Sequence, residues 1–216
     1  MALPFTVEQF NGVFRDYNVA VWPMQWILVT LAMVAIVAVL RPRPGSGVVV
    51  SAILGLLWAW TALAYHLAYF SRISLAAYGF AAVFAVGAIV FVWQGVVRRR
   101  LAFRWTPGPR ATAGTVLIAF ALVVYPVWSA YAGHPYPTTT TFGLPCPTTI
   151  FTIGVLCFAL PPTPRSPLIV PILWCAVGAQ AVFLLGVWPD LGLIAAGAVG
   201  LALLLPLGRP LRTRTS

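Results

Sequence analysis

Long apolar runs separated by short polar breaks dominate the chain. They cover approximately Val19–Leu40, Val48–Phe70, Ser74–Val97, Ala111–Tyr131, Pro147–Leu160, Pro167–Val187 and Asp190–Leu207. Six of them are near the length of about 17–25 residues with which a helix crosses a hydrocarbon core. The pattern predicts an all-α polytopic membrane protein, one transmembrane domain of seven helices. Ahead of the first run the period changes. Phe10, Val13, Phe14 and Tyr17 recur at i, i+3, i+4 and i+7, with Glu8, Gln9, Asn11, Arg15 and Asp16 on the other side. Thr6 and Gln9 have the spacing of a capping box, so residues 1–18 are expected to hold a short amphipathic helix lying in the membrane interface.

Composition narrows the classes further. Of 216 residues, 61% are apolar and 7% charged, with a mean hydropathy of +0.96. That leaves too few charges to clothe a surface in water, whereas a surface facing lipid needs none. All 13 basic residues are arginine, and the net charge is +10. They sit in the breaks between apolar runs instead of on one groove-reading face, so nucleic acid is not the expected partner; the lipid bilayer is. With seven crossings, Arg41, Arg43, Arg98, Arg99, Arg100, Arg104, Arg110, Arg165, Arg209, Arg212 and Arg214 fall on one side, and Arg15 and Arg72 on the other. The excess of arginine places the first side in the cytoplasm, with a basic tail at 208–216, and the N-terminus outside. Glu8, Asp16 and Asp190 then lie outside too. The first run has no basic segment before it and ends in Arg41-Pro42-Arg43-Pro44, so it is read as a retained anchor.

No acid or base is expected deep in a span, which argues against carboxylate-based proton coupling. Gly55 with Ala59, and Gly192, Ala196 and Gly200, have the four-residue spacing that lets helices approach closely. Cys157 and Cys175 read as small apolar side chains, and three cysteines make no disulfide scaffold.

The residues with chemistry gather at the outer end. Gly55, Ala59, Ala62, His66 and Tyr69 recur at helical spacing, so His66 and Tyr69 are expected on one face that turns inward, with Tyr65 nearby. His134 opens an uncharged, Pro- and Thr-rich loop at 132–147 that leads into the shortest run. From Pro147 to Leu160 a helix rises only about 21 Å, so the loop is expected to dip below the surface as buried irregular backbone. Pro147 suits the first helical position, which makes Cys146 the expected N-cap, where the helix dipole favours a thiolate. Thr148, Thr149 and the free backbone N–H groups there suit an anion or polar solute. Cys146, His66 and His134 together suit a soft or borderline metal such as zinc or copper. Haem fits less well, because nothing places the two imidazoles on opposite sides of one macrocycle. The plain alternative is a structural plug at the helix ends.

Several stretches resemble an uncharacterised family of small bacterial multi-pass membrane proteins, a domain of unknown function. They are Pro4-Phe5-Thr6, Glu8-Gln9-Phe10, Tyr17-Asn18 with Val21-Trp22-Pro23, and Ala64-Tyr65-His66. More specific are Gly133-His134 with Tyr136-Pro137, and the run Phe142-Gly143-Leu144-Pro145-Cys146-Pro147-Thr148-Thr149-Ile150-Phe151-Thr152. The resemblance implies a membrane fold in a bacterial cytoplasmic membrane and lends no reaction.

The leading expectation is a binding or transport protein, with enzymatic activity left open. It has an outward-facing polar pocket for a small solute or metal ion, contacted by Cys146, His66, His134, Thr148, Thr149, Tyr65 and Tyr69. The alternatives are a membrane-embedded enzyme or redox protein using the Cys146 thiolate, and a structural or partner-binding membrane protein.

Overall fold

The computed structural model describes residues 4–205. The basic tail expected at 208–216, with Arg209, Arg212 and Arg214, lies outside the described residues, as does the end of the seventh run. Eight helical segments follow one another: α1 Val7–Ala20, α2 Met24–Leu40, α3 Ser46–Arg72, α4 Ala76–Val97, α5 Pro109–Tyr131, α6 Pro145–Leu156, α7 Ser166–Leu185 and α8 Trp188–Leu204. Among the described residues only two isolated β-bridges form, Phe103 with Ala159 and Phe142 with Leu144. The fold is all-α, and each of the seven apolar runs becomes a helix.

Their lengths differ from the expectation. By length and apolarity α3, α4, α5 and α7 each suffice to cross a membrane, and the α1–α2 pair, bent by 84°, adds a fifth if it counts as one span. Helices α6 and α8 are apolar but shorter. The reason is clearest at α6, which has 12 residues and rises about 18 Å. Every residue of α6 except Cys146 is buried, and α3, α5, α7 and α8 pack around it. A helix walled by other helices has no lipid face, so hydrocarbon thickness does not set its length. Of its three threonine hydroxyls, that of Thr152 is satisfied inside the bundle. The indole of Trp58 donates to Thr152 Oγ1 at 3.0 Å, and that hydroxyl donates to the Thr148 carbonyl at 2.7 Å.

Small residues set the approach of these helices, as their spacing suggests. A methyl group on Gly114 of α5 would lie 2.7 Å from the Gly154 carbonyl of α6, and one on Gly192 of α8 would lie 2.3 Å from the Phe120 ring. The outward side chains are apolar: Leu63, Ile89 and Phe183 are all exposed.

Helix α1 begins with the expected capping box, Gln9 N–H donating to Thr6 Oγ1 and Thr6 N–H to Gln9 Oε1. Its stripe of Phe10, Val13, Phe14 and Tyr17 is buried, though against protein. Tyr65 and Phe70, at the end of α3, receive Phe14 and Phe10 at ring separations of 6.0 and 6.1 Å. The stripe satisfies an aromatic surface of its own bundle, and α1 caps that bundle.

At the end of α1, Asn18 is fully buried and ties down the loop between α5 and α6. Its Nδ2 donates to the carbonyls of Pro137 and Thr139, and its Oδ1 accepts from Thr141 Oγ1, each at 2.7 Å. The loop turns into α6 through Gly143, whose φ of +101° favours glycine and whose Cα approaches Leu28 too closely for a side chain. Replacing Asn18 by Ala removes three hydrogen bonds worth about 1 kcal/mol each and leaves buried groups unpaired. The expected outcome is a loss of about 3 kcal/mol of stability, with faster proteolytic cleavage of residues 132–144, measured by thermal unfolding and limited digestion in detergent.

Candidate functional site

Helix α3 is α-helical over Ser46–Trp60 and continues as a π-helix over Thr61–Leu67. The wider turn breaks the regular spacing on which the sequence reading placed His66 and Tyr69 on one face. Both Tyr65 and His66 are now buried. Tyr69 turns away to meet Tyr17 at a ring separation of 5.8 Å, with the Arg72 guanidinium over its ring at 4.4 Å.

His66 is 1% exposed and nested among rings, 5.0 Å from Phe84, 5.4 Å from Trp174 and 5.7 Å from Phe80. Neither ring nitrogen has a hydrogen-bond partner among the described residues. An imidazole offers one donor and one acceptor, and burying either unpaired is costly. His66 faces a cavity of about 190 Å³ lying between α1 and the N-terminal end of α6. Phe10 and Phe14 roof it, Tyr65 and Trp174 wall it, and Cys146 and Asp190 form its polar end.

That polar end is a connected cluster. Tyr125 of α5 donates its hydroxyl to the Asp190 carboxylate. The Cys146 thiol lies within reach of both groups and faces the indole nitrogen of Trp174. The approach depends on Gly178, where an added methyl group would sit 3.2 Å from Trp174 Nε1 and 3.6 Å from Cys146 Sγ. The Trp174 indole N–H makes no hydrogen bond of regular geometry.

The structure thus brings together three of the seven residues singled out in the sequence: Cys146, His66 and Tyr65. His134 lies elsewhere. Its Nε2 is 3.1 Å from Asn11 Nδ2, and it borders a separate cleft of about 20 Å³. Thr148 and Thr149 are fully buried with unpaired hydroxyls and do not line the cavity. The expected zinc or copper set of Cys146, His66 and His134 is not assembled; among the described residues no three His, Cys, Asp or Glu side chains are grouped to hold a metal ion. Cys146 is not the N-cap either. Helix α6 opens at Pro145 with Leu144 as N-cap, because Pro145 already has the φ of a first helical position. Cys146 therefore sits in the first turn.

Three residues of the site escaped the sequence reading: Asp190, Tyr125 and Trp174. Asp190 reads as an outer surface acid, yet it is 2% exposed and the one buried acid of the three. Gly186, at a φ of +70°, and the short turn Trp188–Asp190 swing its carboxylate inward under Tyr125. The bundle therefore does contain a buried carboxylate. The signal in the sequence was an acid adjoining an apolar run with no arginine beside it. An anion at the N-terminus of α6 would meet this carboxylate in the same cavity, which disfavours the anion reading.

Because His66 contributes rings and no hydrogen bonds, His66→Phe is expected to preserve stability or raise it slightly. Its melting temperature in detergent should equal or exceed that of the wild type. A fall of several degrees would show that the imidazole nitrogens are paired in the folded protein.

No curated protein and no solved structure is matched by the chain. A family model does match, over residues 7–214, and that span takes in every helix that lines the cavity. Over this nearly complete length the chain belongs to DUF6064, a family of unknown function.

Proposed function

We propose that the chain is a seven-crossing protein of a bacterial cytoplasmic membrane, N-terminus outside, that binds or carries a small solute in the cavity beneath α1. The observation that carries this reading is His66: a buried imidazole with two unpaired nitrogens faces a cavity whose far end holds Cys146, Tyr125 and Asp190. Concave, mostly apolar sites with a few convergent polar groups are where small ligands bind. An enzyme built on a Cys–His pair has less support, since His66 makes no hydrogen bond to the thiol.

Seven crossings require α2, α6 and α8 to traverse together with the four long helices. Such traversal is supported for α6 by its enclosure in the bundle. The orientation is supported by the arginine asymmetry, and the 84° bend is what a surface-lying α1 followed by a crossing α2 produces. Epitope tags test the topology: in intact cells an N-terminal tag should be reached by antibody and a C-terminal tag should not.

Binding is tested by filling the cavity. Small molecules extracted from the purified wild type and from Cys146→Phe, compared by mass spectrometry, should differ by a species that only the wild type retains. Identical extracts from two folded proteins would dispose of the ligand reading.

A further inference from the structure

The cavity has a definite electrostatic character. Among the described residues that line it, Asp190 is the only acid or arginine. Arg15 pairs with Asp16 at 3.6 Å, Arg72 lies over Tyr69, and neither guanidinium lines the cavity. The carboxylate accepts from the Tyr125 hydroxyl and has the Cys146 thiol beside it, and neither group carries positive charge. A carboxylate taken out of water in this way is costly unless it takes up a proton or a counter-charge reaches it.

The walls have the same sign of preference. Tyr65, Phe70, Phe80, Tyr125 and Trp174 surround the space, with Phe10 and Phe14 above. Aromatic faces carry the negative lobe of the ring quadrupole, and cages of them hold organic ammonium groups. His66 adds a buried nitrogen that can accept an N–H from a protonated amine. The mouth is flanked by Val177 and Leu184 of α7, both exposed and apolar, so a ligand with an apolar body can enter beside them. At about 30 Å³ per water, the cavity has room for about six waters, which limits the occupant to a small molecule.

We infer that the cavity is a site for a small organic ammonium cation with an aromatic or aliphatic body, its charge facing Asp190 within the aromatic cage. This rests on the cavity being a ligand site, as proposed above, and adds the charge of the ligand.

The test uses the full chain in lipid nanodiscs, with empty nanodiscs as blank and tryptophan fluorescence as readout. The two probes are benzyltrimethylammonium and its uncharged carbon isostere, neopentylbenzene. The cation is expected to bind at least about tenfold more tightly than the isostere. In Asp190→Asn that preference should fall at least about threefold, the intact aromatic cage keeping the remainder, while the isostere binds as before. Equal binding of the two probes to the wild type, or tighter binding of the isostere, overturns the cation assignment and leaves the cavity a ligand site. A cation preference that is undiminished in Asp190→Asn also overturns it. Binding of neither probe removes the assignment together with the ligand reading beneath it. The wild-type comparison of two probes of one shape keeps the assignment falsifiable if Asp190→Asn does not fold.

Discussion

The enclosure of α6 is the constraint on which the rest of this structure depends. A helix with no lipid face can be short, can begin with two prolines and can carry threonines. Trp58 donates to Thr152, and glycines at 114, 154 and 192 let α5 and α8 close around the helix. Because α6 starts well inside the bundle, the chain that leads to it must run inward as irregular backbone. Asn18 and Thr61 receive that backbone, Thr61 by donating its hydroxyl to the Gly143 carbonyl at 3.1 Å. The space between this inward loop, the end of α3 and α7 is the cavity, and α1 closes over it.

The cavity's chemistry follows from two departures from regular helix. The π-turn of α3 turns His66 inward while Tyr69 leaves the site. The turn ahead of α8 folds Asp190 under Tyr125. Neither departure changes the apolar periodicity enough to be seen along the chain, since each shifts one or two positions within a long hydrophobic run. π-Turns within α-helices are frequent at functional sites, and here one sets the neighbours of the bundle's buried histidine.

Burial inverts the meaning of the chain's few polar residues. Arginines at the breaks between helices act as a population, through their distribution. Asp190, His66 and Cys146 act locally, within one buried space where each group bears on what can be accommodated. Helix α1 illustrates the same point from the apolar side. A stripe of Phe10, Phe14 and Tyr17 suits lipid and protein equally well by its spacing, and the aromatic end of α3 decides between them.

Hydrophobic periodicity alone determined that the chain is helical and apolar, that seven runs become helices, and that α1 begins at a Thr6–Gln9 capping box, because these depend on neighbours within four residues. It also marked Cys146, His66 and Tyr65, whose residue types stand out against an apolar background. Only the tertiary structure separated His134 from them, moved the start of α6 to Pro145, and brought in Asp190, Tyr125 and Trp174 from three different helical segments. The physical reason is that a site is a coincidence of distant segments. Its members are chosen by packing between helices, by where the small residues allow approach and by which turns break register, and a one-dimensional pattern does not carry those distances.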